Sequence, residues 1–156
     1  MSKGDKTMYQ ESKEDNDLFF TCSLIEYIAR KTKNSKKVII EKLGEKNISK
    51  IYNLAEIYHS ENIDKVSDEF INQAKINIGE YDNITNCNNR VPTYWEIGKV
   101  YKRLIIMVNS NKEEYVKTLI EVLSSWIIKS IDNYNSSMYY ENPEYIYLCY
   151  KEGKIL

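Results

Sequence analysis

The sequence predicts an all-α protein, with about seven helices in two unequal halves forming one compact, bundle-like domain. Three observations carry that reading. Apolar residues recur at helical spacing through most of the chain. Glycine (5) and proline (2) are too scarce to punctuate a small β-sandwich, which needs a turn every ~10 residues. The strongest local signals, Thr93-Tyr94-Trp95-Glu96 and Asn142-Pro143-Glu144, are helix starts.

Taken in order, residues 1–15 are polar and read as a flexible tail. In the N-terminal unit, 16–72, Phe20, Leu24, Ile25 and Ile28 share one face of a first helix that Asp17 would cap. Ser35 suits the N-cap of a short helix carrying Val38, Ile39 and Leu43, with Gly44 at its end. A third helix spans about 47–58 on Ile48, Ile51, Leu54, Ala55 and Tyr58. A fourth opens at Asn62 or Asp64 with Val66, Phe70 and Ile71 inward.

Residues 73–92, with Gly79, the asparagine cluster Asn83, Asn86, Asn88 and Asn89, and Pro92, read as a long loop. It is either a linker or a functional surface. The C-terminal unit, 93–156, starts at the capping box and carries Ile97, Val100, Tyr101, Leu104 and Ile105. The longest helix is expected from about 112 to 134, roughly 35 Å at 1.5 Å per residue. Asn142-Pro143 and Gly153 bracket a last helix over 143–151, although Tyr145 to Tyr150 also has strand-like composition.

Composition limits the function classes. The chain has 156 residues, 42% hydrophobic and 29% charged, with a net charge of -1, so a core can form under a charged shell and no globally basic surface exists. Collagen-like, coiled-coil, disulfide-scaffold and largely disordered classes are excluded. Cys22, Cys87 and Cys149 are odd in number and far apart, which fits reduced thiols. The N-terminus lacks an apolar signal region and no apolar run approaches ~20 residues, so a cytoplasmic protein without membrane contact is expected.

Chemical motifs are absent from the sequence. It has no G-x-G-x-x-G, P-loop or G-x-S-x-G, and the single histidine, His59, has no metal-ligand spacing to a cysteine. Asp64, Asp68 and Glu69 read as a solvated helix face. A Cys22–His59 pair is a conventional option for nucleophilic chemistry, and Cys22 sits among apolar neighbours where a thiol is inert. No catalytic residue, metal or cofactor is expected; a small enzyme built around His59 is the third-ranked function.

Charge is distributed unevenly. Arg30, Lys31, Lys33, Lys36, Lys37, Lys42, Lys46 and Lys50 face only Glu41 and Glu45, while 56–82 is acidic. The basic stretch suits an anionic partner through a helix–turn–helix-like region at 30–50, or else pairs internally. Tyrosines crowd the C-terminal segment, at 134, 139, 140, 145, 147 and 150, more rings than one helix face can bury.

The stretch CSLIEYIARKTKNSKKVIIEKLG, then KIYNLAEIYHSENIDKVSDEF, together with IGKVYKRLII and NPEYIYLCYKEGKIL, resembles small helical proteins of low-G+C Gram-positive bacteria. Some shorter members resembling only the first half lie beside ADP-ribosyltransferase-like toxins. That resemblance carries over no catalytic residue and favours a regulator or antitoxin-like binder. The leading expectation is therefore a non-enzymatic interaction protein with a protein partner, and a homo-oligomer. Its expected contacts are Lys33, Lys36, Lys37, Tyr139, Tyr140 and Tyr145. A nucleic-acid-binding regulator using 30–50 is the alternative.

Overall fold

A computed structural model describes residues 11–156, so most of the expected tail lies outside the described residues. Helix α1 (Lys13–Thr32) starts earlier than its apolar stripe suggests. Ser12, not Asp17, is its N-cap: the hydroxyl accepts from the Asp15 amide at 3.1 Å, and Glu14 and Asp15 place negative charge in the first turn. Residues 13–15, assigned from sequence to the tail, are therefore helical.

Along most of its length, α1 is buried all round, from Leu18 through Ala29 apart from Phe19 and Tyr27. Its small polar residues remain satisfied inside. Thr21, Ser23 and Thr32 donate to the carbonyls four residues back, of Asp17, Phe19 and Ile28, at 2.7, 2.9 and 2.8 Å. The other elements assemble round it. α2 (Lys36–Asn53), α3 (Ala55–His59) and α4 (Ile63–Gln73) come from the first half, α5 (Tyr94–Val108) and α6 (Tyr115–Leu123) from the second. The most extensive packing in the protein is α1 on α5, where Gly98 allows the backbones to close.

One expected boundary stands and one moves. Gly44 leaves the helical region at φ 71°, ψ 167°, a conformation open to glycine, so the second expected helix stops there; the third starts directly after it, and α2 spans both across this kink. The third expected helix is itself interrupted at Leu54, before α3.

The single long helix expected over 112–134 is corrected to three pieces. They are a 3-10 turn at Lys112–Glu114, α6, and α7 (Ile127–Ile131). At the break the Ser125 amide and hydroxyl both bond the Val122 carbonyl, at 3.0 and 2.6 Å, tightening the turn and ending the helix. The organising rod is α1 instead, roughly 30 Å long.

A second 3-10 turn, Met138–Tyr140, precedes α8 (Pro143–Glu152), which is a helix despite its strand-like composition, with Asn142 and Gly153 as its caps. Among the described residues there are eight α-helices and no strand. The two halves share one apolar core, with Ile25, Ile39, Phe70, Ile97, Leu119 and Ile131 in the same cluster. The 73–92 loop is strapped to both halves. Gly79 and Tyr81 amides donate to the Thr32 and Lys33 carbonyls at 2.7 and 2.9 Å. Asn83 donates to the Asp132 carbonyl at 2.7 Å, and the Asn88 amide donates to Asn135 at 2.8 Å.

Candidate functional site

Charge meets below the surface where α1, the start of α2 and the end of α7 converge. Ser35 accepts from the Val38 amide and so fixes Lys36 as the first residue of α2. That directs the Lys36 side chain inward between Glu26 of α1 and Asp132 after α7. Lys36 forms an ion pair with Glu26 and lies 2.8 Å from Asp132 Oδ2. Arg30 Nε donates to Glu26 Oε2 at 2.6 Å, and its Nη2 reaches the Pro92 carbonyl at 2.7 Å. Tyr134 donates to Glu26 at 3.1 Å and Tyr101 donates to Asp132. Two cations thus balance two carboxylates in a cluster where Lys36, Glu26 and Asp132 are buried and Arg30 is partly so.

Its members respond differently to that setting. Burial would push the Glu26 carboxyl up, but Lys36 and Arg30 overcome it and hold the group below the ordinary range. Burial raises the Asp132 carboxyl, against the pull of Lys36 and with help from the Glu26 charge. Burial and then the adjacent carboxylates keep Tyr101 and Tyr134 protonated donors.

Lys36 is therefore corrected as a surface contact. It is 2% exposed, because leaving Glu26 and Asp132 together without a cation would cost more than burying one. Lys33, at φ 54° at the end of α1, is exposed and 3.9 Å from Asp82. Lys31 is engaged with Asp64 and Asp68, which themselves lie on the face read from sequence as solvated. Lys37 stays exposed, so Lys33, Lys36 and Lys37 do not form one surface.

Above the cluster lies a cleft of about 450 Å³, with Lys36 and Asp132 in its lining. Lys37 and Lys129 also line it, with Ser35, Ser124, Ser125, Tyr81 and Trp126. Neither Lys37 nor Lys129 has an ion pair among the described residues. Sequence reasoning missed Tyr81 and Lys129; the available signal was Trp126 beside Ser124-Ser125, a large ring at a helix break.

On another face, Tyr139 and Tyr140 come together edge to face, 4.9 Å between centroids. They line a cavity of about 490 Å³ between α5 and the start of α8, with Lys99, Val100, Arg103, Leu104, Pro143 and Ile146. A neighbouring depression of about 420 Å³, reaching Ile106 and Met107, adjoins this groove through shared Arg103, Asn142 and Pro143. Tyr140 is 68% exposed at its edge. Tyr145 does not join them: it lines a separate depression beside Ser130, Asn133 and Ile155, and its hydroxyl donates to the Leu156 carbonyl at 2.6 Å. Tyr134 belongs to the core.

His59 is exposed and stacked near Phe20 and Trp95, with centroids 5.1 and 5.4 Å away. Its depression holds Asp17, Asn16, Glu56 and Ser60 but none of the cysteines. Cys22 is fully buried and its thiol is pushed well up by that burial, so the structure does not bring Cys22 and His59 together as a reactive pair. Among the described residues no three His, Cys, Asp or Glu side chains gather to hold a metal ion. Among the same residues no helix is long and apolar enough to cross a membrane. No family model, curated protein or solved structure matches this chain.

Proposed function

We propose that this chain works without catalysis, as an inhibitor-like or antitoxin-like binder that docks another protein in the groove between α5 and the 139–146 segment. The observation that supports this is the groove's make-up. An apolar floor of Val100, Leu104, Pro143 and Ile146 is edged by an exposed tyrosine and by charges of both signs, Lys99 and Arg103 against Glu96 and Glu141. Aromatic and arginine side chains round an apolar centre are the usual anchors of protein interfaces. A polyanion would meet Glu96 and Glu141, so a protein segment with apolar side chains flanked by mixed charge fits better. The nucleic-acid alternative has less support, because Arg30, Lys31, Lys33 and Lys36 of the basic stretch are engaged in ion pairs.

The test compares affinity co-purification by the unaltered chain and by an Arg103→Glu, Tyr140→Ala variant whose unfolding midpoint is unchanged. A stoichiometric protein retained by the first and lost by the second supports the proposal. A second copy of this chain retained and lost in the same way makes the partner a homo-oligomer. Nucleic acid that leaves as salt rises, or equal capture by both chains, overturns it.

A further inference from the structure

The cleft over the buried charge cluster has a make-up that the protein groove lacks. Its volume, about 450 Å³, falls in the range of small-molecule sites. Two large rings reach it while keeping much of their surface open, Trp126 at 39% and Tyr81 at 40% exposed. Rings left so exposed on one cleft are flat apolar faces without a partner.

Its charge is one-sided as well. Lys36 is cancelled within the cluster by Glu26 and Asp132, which leaves Lys37 and Lys129 as uncompensated cations in the lining. Among the described residues that line it, Asp132 is the only acid, and it is committed to Lys36 and Tyr101. Lys37 also stands in the first turn of α2, which has no acidic residue. Positive charge there opposes the helix dipole, so the fold places a cation where it is locally unfavourable. An anion held by Lys37 and Lys129 would remove that conflict. Ser124 adds a half-exposed hydroxyl that can donate to the same group.

We propose that the cleft lined by Lys37, Lys129, Tyr81 and Trp126 binds a small anion carrying a flat aromatic ring, of the nucleoside monophosphate class. The phosphate lies against Lys37 and Lys129, and the base lies against Trp126 and Tyr81. This site is separate from the α5 groove and does not depend on it.

The test is calorimetric titration of the full chain with AMP and with its two halves, adenosine and ribose 5-phosphate. AMP is expected to bind about tenfold or more tightly than either half, because both ends of the ligand are held. Joint Lys37→Ala and Lys129→Ala substitution should weaken AMP by about tenfold and leave adenosine unchanged. Trp126→Leu should do the reverse to the halves, weakening adenosine and sparing ribose 5-phosphate. Ribose 5-phosphate binding as tightly as AMP would reduce the site to a simple anion patch and overturn the proposal. Adenosine binding as tightly as AMP would reduce it to an apolar cleft and overturn the proposal equally. No saturable heat with millimolar AMP also overturns it. Arg103→Glu should leave AMP binding intact, so failure here and failure of the groove proposal are read separately.

Discussion

Lys36 Nζ and Asp132 Oδ2 lie 2.8 Å apart inside the protein although 96 residues separate them in sequence. The pair joins the start of α2 to the end of α7, and Glu26 on the other side of the ammonium adds α1. One cation thus fixes three elements from both halves of the chain. Such a cluster contributes little net stability, because desolvating the charges offsets most of their attraction. Its effect is on which arrangement forms: any slip that separates Lys36 from either carboxylate strands a buried charge.

Removing the cation should therefore be costly. Lys36→Met keeps much of the stem but leaves Asp132 with Tyr101 as its remaining side-chain partner, and should destabilise by about 3–5 kcal/mol in urea unfolding at pH 7. The pH response has a definite sign. Burial already raises Asp132, and without Lys36 its folded value rises further above the unfolded one. Such a group favours the fold when protonated, so the deficit should be largest near pH 7 and shrink towards the ordinary carboxylate range of about 4. A deficit that grows on acidification would show that Asp132 is not the stranded group.

Asp82 gives a prediction of opposite sign. Its carboxylate accepts from the Thr85 hydroxyl at 2.6 Å and from the Thr85 and Ile84 amides at 3.0 and 2.9 Å. These bonds, the hydroxyl's first, hold the carboxyl down at about 2. A folded value below the ordinary value of about 3.9 adds stability at higher pH, and that stability is lost as pH falls through about 2. The amide proton shifts of Ile84 and Thr85 should titrate with a midpoint near 2, as read by NMR. A midpoint near 4 would mean that the loop is not capped this way.

Gly98 is needed for close approach. A Cβ there would stand 3.0 Å from Ser23 Cα and from Ser23 Cβ, at the main helix–helix contact of the fold. Gly98→Ala should cost about 1–3 kcal/mol by overpacking α1 against α5. The double variant Ser23→Gly, Gly98→Ala should recover part of that loss in denaturant unfolding. No recovery would place the strain in the α5 backbone instead.

What could be read from sequence was what is local. The Thr93–Glu96 box and the Asn142-Pro143 start each act within one turn and mark the helix they announce, and of the two starts open at Asn62 and Asp64 the cap is Asn62. The break at Ser124-Ser125 was hidden because the apolar stripe runs through it, from Val122 and Leu123 to Ile127. The fate of the basic stretch was hidden for a different reason. Counting charges shows an excess but not which lysine turns inward, since that depends on a carboxylate 96 residues away. A usable hint was Glu26 itself, an acid set between Ile25 and Ile28 on a helix with apolar residues on every side. The tyrosine cluster divided similarly: Tyr139 and Tyr140 share a groove, while the chain's path sends Tyr145 to another face.

Lys37 separates stability from function. It is exposed, forms no ion pair among the described residues, and sits at the positive end of α2. Lys37→Glu reverses an unfavourable charge–dipole contact and should stabilise the protein by about 0.5 kcal/mol or more, read as a higher urea midpoint at unchanged slope. The same substitution places a carboxylate in the lining of the Trp126 cleft and should abolish AMP binding. A gain in stability coupled to a loss of binding is the pattern expected where a residue is kept for a ligand at the expense of the fold. If the variant is instead destabilised, Lys37 has a structural partner, and its conflict with the helix dipole no longer supports an anion site.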